Sequence, residues 1–146
     1  MPTDIVIPSA YGYVISIAIL SVVQLTVMGG AVFGARKRAG VPYPLPYADK
    51  AEAETDFDKH VFNCKQRVHQ NTLENFPTFG VLLFTGGISY PEITAGAGLA
   101  YLLSRVFYAR GYSTGTPEKR GHGRFGMLGT LVMLGTSVAT VYKLLI

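Results

Sequence analysis

Charge is scarce in this sequence: Asp, Glu, Lys and Arg make up only 15% of 146 residues, against roughly a quarter in an ordinary soluble domain. The shortage is sharpest near the start, where the 31 positions from Ile5 to Ala35 carry no charged side chain. A single cysteine, Cys64, excludes an internal disulfide framework and a zinc site built from cysteines. Walker A and HExxH patterns are missing, which removes the commonest P-loop and zinc-hydrolase readings. The 17 glycines follow no collagen-like period. A net charge of +4 raises the question of nucleic acid, but the basic residues gather at the ends of apolar runs.

Those runs are what the sequence does have. Apolar residues make up 49% of the chain, and the mean hydropathy is +0.28. The first run exceeds the roughly 20 residues that cross a bilayer core and lacks the basic leader of a cleaved signal peptide. Asn75 to Pro91 is a second uncharged run, Ile93 to Tyr108 is broken only by Arg105, and Phe125 to Tyr142 adds 18 more uncharged positions. The expectation is an all-α membrane protein with one domain over 1–146. It would be a four-helix transmembrane bundle with helices near 8–36, 58–88, 92–114 and 120–144. A soluble helical bundle is the competing reading.

The connections fit that count. Pro42, Pro44 and Pro46 open an extended loop running to Phe57. The segment Gly86-Gly87-Ile88-Ser89-Tyr90-Pro91 reads as a tight turn, and Gly115-Thr116-Pro117 separates the last two helices. Arg36, Lys37, Arg38, Lys50 and Lys59 flank the first connection, and Arg110, Lys119, Arg120 and Arg124 the third. The positive-inside rule then places both connections in the cytosol and both termini on the other side.

The second helix carries charge where lipid should not tolerate it. His60, Asn63, Arg67, Asn71 and Glu74 recur at spacings of three and four, one polar stripe on a helix. Counted from the turns, Glu74 and Arg105 lie at similar depth. Each ionisable group in mid-membrane costs roughly 2.5–3.5 kcal/mol, so these side chains must pair with one another or line a wet cavity. An interhelical Arg–Glu clamp is the plain reading. The sharper one is a pocket for an anionic ligand, because basic side chains outnumber the one intramembrane acid, Glu74. Tyr108 and Tyr112 share a face with Arg105 and add hydroxyl donors. His60 and His122 are expected at the helix ends, in solvent or headgroups. Cys64 is expected to pack as a small apolar residue, and no metal site is expected.

The run from Phe62 to Pro77, FNCKQRVHQNTLENFP, resembles the second-helix signature of the MAPEG family, the membrane-associated proteins in eicosanoid and glutathione metabolism. The similarity extends to Ala35-Arg36-Lys37-Arg38 with Val41-Pro42-Tyr43-Pro44, to Ser104-Arg105-Val106-Phe107-Tyr108 and to Gly111-Tyr112 through Arg120. The resemblance implies a homotrimer in the endoplasmic reticulum or nuclear envelope, with glutathione as co-substrate bound between neighbouring subunits. Carried over by position, Arg67, His69, Asn71 and Glu74 would hold glutathione together with Arg105, Tyr108, Tyr112 and Arg36. Lys119 or Arg120 would stabilise its thiolate. The implied activity is conjugation to a lipophilic electrophile, as in leukotriene C synthesis, or reduction of a lipid hydroperoxide. A non-catalytic lipid-binding scaffold of the lipoxygenase-activating type is the alternative within the family, and a small channel or transporter the alternative outside it.

Overall fold

The computed structural model describes residues 7–146; Ile5 and Val6, at the start of the first uncharged run, lie outside the described residues. Every regular element among those described is helical: α1 (Tyr11–Ala39), α2 (Lys50–Thr55), α3 (Phe57–Ser89), α4 (Pro91–Tyr112), a 3-10 turn over Pro117–Gly123, and α5 (Gly126–Leu145). Local chemistry sets the boundaries. Gly40 takes a left-handed φ of 62° and returns its N–H to the Arg36 carbonyl, closing α1. Arg36, Lys37 and Arg38 in the last turn oppose the negative end of the helix dipole. Asp49 accepts from the Ala51 N–H at 2.8 Å, and Asp56 from the Asp58 and Lys59 N–H groups at 2.9 and 3.2 Å; these caps start α2 and α3. Pro91 begins α4, where its missing N–H costs nothing.

The two middle long helices, α3 and α4, lie side by side, each touching α1 on one flank and α5 on the other. Val14, Leu83, Leu102 and Met133, one from each long helix, meet in the main apolar core, where Phe79 is also buried. A second cluster of Val32, Ala35, Val41, Ala48 and Phe62 seals the proline-rich loop against α1 and α3.

By length and composition, α1 and α5 can each cross a membrane. Only 11% of the apolar stretch of α1 and 28% of that of α5 is buried, so their side chains face outward, where a soluble core helix would hide them. The polar stripe and Arg105 keep α3 and α4 below that standard on their own.

Three expectations about the connections need correction. The last helix begins at Gly126, not near 120, because Pro117–Gly123 winds as a 3-10 turn. The tight turn expected over Gly86–Pro91 shrinks to a single residue: α3 continues to Ser89 and Tyr90 alone separates it from α4. Gly86 and Gly87 are buried inside α3, so their glycines serve close packing. The first loop contains the short helix α2.

Candidate functional site

The polar stripe of α3 divides into two parts with different fates. Its first two members are used for structure. Asn63 accepts from the Ala48 N–H at 2.8 Å and donates to the Ala48 carbonyl at 3.1 Å, pinning the loop. His60, expected in solvent or headgroups, is instead half-buried, with its Nε2 2.9 Å from the Gly115 carbonyl oxygen. That bond ties the start of α3 to the turn after α4, where Gly115 holds a left-handed φ of 83°. Cys64 is buried as a small apolar residue.

The other three members stay open. Arg67 pairs with Glu74 through a 2.9 Å Nη1–Oε1 contact. Both belong to α3, so the pair is not an interhelical clamp. Its side chains keep 42% and 47% of their exposure, and so open an ion pair contributes only about 0–1 kcal/mol. A ligand offering a carboxylate and an ammonium can exchange into it at little cost.

The link between helices comes from Arg105 of α4. Its Nη2 donates to Asn71 Oδ1 at 3.0 Å and to Thr72 Oγ1 at 2.7 Å, and its guanidinium lies 4.0 Å over the Tyr108 ring. Tyr112 meets Tyr108 edge-on at 5.7 Å between centroids. One buried polar atom in this cluster has no hydrogen-bond partner among the described residues, Arg105 Nε. An unsatisfied buried donor costs about 1–3 kcal/mol, more when charged. Beside it lies a groove of about 510 Å³ lined by Asn75, Tyr101, Ser104, Arg105, Arg124 and Thr130. A guanidinium with a spare donor at the edge of a groove fits an anionic ligand group.

Lys119 and Arg120 are exposed on the 3-10 turn. The turn lies flat on the end of α4 because residue 111 is glycine: a Cβ there would stand 2.5 Å from the Lys119 carbonyl oxygen. Both cations are thereby fixed on the segment that follows the Arg105–Tyr108–Tyr112 face.

Arg36 and His69 do not join this cluster within one chain. Arg36 Nη1 donates to the Leu45 carbonyl at 2.7 Å, and its guanidinium sits 4.6 Å and 4.7 Å from the Tyr43 and Phe62 ring centroids. His69 turns toward α1, its Nε2 3.6 Å from where Gly29 would place a Cβ. The site residues therefore fall into two sets on different faces.

Sequence reasoning missed Thr72, Arg124 and Tyr47. Thr72 sits one position off the stripe, but hydroxyls also bond back along their own helix, as Thr72 does to Val68, so the residue type alone gives no signal. Tyr47 hydrogen-bonds Gln70 through its hydroxyl and covers the side of α3 beyond the proline loop. Among the described residues, no three His, Cys, Asp or Glu side chains come together as a metal site.

The model of the MAPEG family matches residues 14–142, from the first buried core residue of α1 nearly to the end of α5.

Proposed function

The chain belongs to the MAPEG family, and from that premise we propose that it is a glutathione transferase with glutathione-dependent peroxidase activity. The family includes glutathione transferases, peroxidases and activating proteins. The observation that carries the choice is the open cluster on α3 and α4: Arg67 and Glu74 in an exchangeable pair, with Arg105 holding a buried donor in reserve. Glutathione has two carboxylates, one ammonium and a thiol. Arg67 and Arg105 suit the carboxylates, Glu74 the ammonium, and Asn71 with the Tyr108 and Tyr112 hydroxyls the peptide groups between. A scaffold that only holds lipid has no use for that set.

The chemistry follows from the thiol. Free thiols ionise near 8.5, and a cation held beside the sulfur favours the thiolate. A drop of about two units is worth roughly 2.7 kcal/mol. Lys119 or Arg120 supplies that cation. The thiolate attacks an electrophilic carbon of a lipid-soluble substrate, forming the C–S bond as a leaving group departs or an epoxide C–O bond opens and is protonated. Alternatively it attacks the terminal oxygen of a lipid hydroperoxide, breaking the O–O bond to release the lipid alcohol and leave glutathione sulfenic acid. A second glutathione converts that acid to the disulfide and water.

The separation of Arg36 and His69 from the main cluster supports a homotrimer of four-helix transmembrane protomers. In that assembly, one subunit's Arg67–Arg105 face meets the next subunit's Arg36–His69 face around one glutathione. The same reading places the basic first and third connections in the cytosol, at an endoplasmic reticulum or nuclear-envelope membrane.

The test is glutathione binding to detergent-purified protein, followed together with thiolate absorbance. Wild type should bind saturably with a thiolate signal, and Arg67→Ala and Glu74→Ala should lose both. Absence of binding to well-folded wild type would overturn the proposal and move the chain toward the lipid-binding, non-catalytic members.

A further inference from the structure

A second groove, of about 560 Å³, runs between α1 and α4 on a face the glutathione cluster does not use. Its α4 wall is Leu99, Leu103 and Val106, ending in Arg110 and Ser113. These positions recur at three and four residues and lie on a different side of the helix from Arg105, Tyr108 and Tyr112. Leu20, Val23 and Val27 form the α1 wall. Gln24 fixes the floor, its Nε2 donating to the Leu102 carbonyl at 2.9 Å. From Leu99 to Ser113 the wall is about 21 Å long, more than the roughly 15 Å of one leaflet's hydrocarbon.

The polar groups are concentrated at one end. Lys65 of α3 joins Arg110 and Ser113 there, and no Asp or Glu lines the groove. Among the described residues neither Lys65 nor Arg110 has an ion-pair or side-chain hydrogen-bond partner. The remainder of the lining is apolar except for Gln24. A long apolar trough ending in two unpaired cations and a hydroxyl is complementary to an amphiphile with an anionic head.

We propose that this groove is a binding site for one anionic phospholipid of the cytosolic leaflet, its phosphate held by Lys65 and Arg110 and an acyl chain lying between α1 and α4. The assignment does not depend on the glutathione reading, since no residue of that cluster lines the groove.

The chain has no tryptophan, so a single introduced one reports a single place. Leu103→Trp puts the probe in the groove, and Val132→Trp puts a control on the exposed face of α5. Each variant is reconstituted in phosphatidylcholine vesicles containing dibrominated phosphatidylserine or dibrominated phosphatidylcholine, whose bromines quench tryptophan on contact. Binding at residue 103 should favour phosphatidylserine by about fivefold per cation, and residue 132 should show no preference. Lys65→Gln with Arg110→Gln should abolish the preference at 103 while circular dichroism stays helical. Should that double variant misfold, raising salt on the Leu103→Trp protein must weaken the same preference, because the attraction is screened. Equal quenching by both lipids at 103 overturns the proposal. So does an equal preference at 103 and 132, which would mark a general surface attraction. A preference that survives the double substitution, or that salt leaves unchanged, removes Lys65 and Arg110 from the site. Displacement of the brominated lipid by oleate, but not by phosphatidylserine, would make the groove a fatty-acid site instead.

Discussion

The two ends of the α3–α4 pair bury polar groups in opposite ways. Near Tyr90 the account closes. Thr94 of α4 donates to Thr136 of α5 at 2.9 Å, Thr136 donates to the Met133 carbonyl at 3.0 Å, and Ser137 donates to the Leu82 carbonyl of α3 at 3.0 Å. Thr94, Thr136 and Ser137 are buried and spend their donors inside the protein. Near Arg105 it stays open: Arg67 and Glu74 pair in half-exposed positions, and Arg105 Nε has no acceptor. Polar residues inside apolar helices thus serve two purposes. Where every valence is met they fasten helices together, and where valences remain they leave groups that a ligand could satisfy, as proposed for this cluster.

The largest test of this contrast is Arg105→Leu. It removes the cation proposed to bind a glutathione carboxylate, a charged hydrogen bond worth about 1.5–3 kcal/mol, so glutathione affinity should fall at least tenfold by calorimetry. Thermal stability should fall by less, because losing the bonds to Asn71 and Thr72 is offset by no longer burying a guanidinium with an unpartnered Nε. An equal fall in melting temperature would erase the distinction between the two ends.

Gly86→Ala probes the closed end. Its Cβ would stand 2.3 Å from Thr136 Oγ1 and 3.2 Å from the Ser137 backbone nitrogen. Overpacking of this kind costs about 1–3 kcal/mol, visible as a lower melting temperature in detergent, with glutathione affinity of the folded fraction unchanged.

A third experiment asks whether the open end is completed by a second copy. Arg67→Ala and Arg36→Ala chains should each lose glutathione turnover, and their co-expression should restore about a quarter of the sites by random mixing in a closed ring. No recovery would place Arg36 in a purely structural role with Leu45 and Phe62. The smallest effect is expected for Thr136→Val, which removes one interhelical hydrogen bond, on average about 0.6 kcal/mol inside a membrane bundle. Its melting curve should move only slightly.

Much of the architecture was legible in the chain because lipid imposes a simple rule on composition. The uncharged run before Arg36 and the one after Phe125 mark α1 and α5 directly, and the three-and-four spacing of Arg67, Asn71 and Glu74 marks one face of α3. The same spacing did not reveal that His60 and Asn63 belong to a different story, because a helical stripe records direction and not what lies opposite. Ala48 and Gly115, the partners of those two residues, contribute backbone atoms, which residue type does not advertise. The glycines at 86 and 87 were misread for a related reason. A glycine that turns the chain and a glycine that lets a neighbouring helix come close look identical until the neighbour, here Thr136 or Val14, is known. The split of Arg36 and His69 from the rest of the site was equally hidden, since it depends on how α1 lies against α3.

The single-residue link at Tyr90 bears on how the protein is made. Neither α3 nor α4 is apolar enough to qualify alone as a span, and an unshielded arginine at mid-bilayer is costly. On the four-span reading proposed above, a link of one residue would favour the two helices entering the bilayer together as a hairpin. Arg105 can then enter the membrane already covered by Asn71 and Thr72. Biogenesis would thus treat α3 and α4 as one unit of insertion, held between two helices that need no such help.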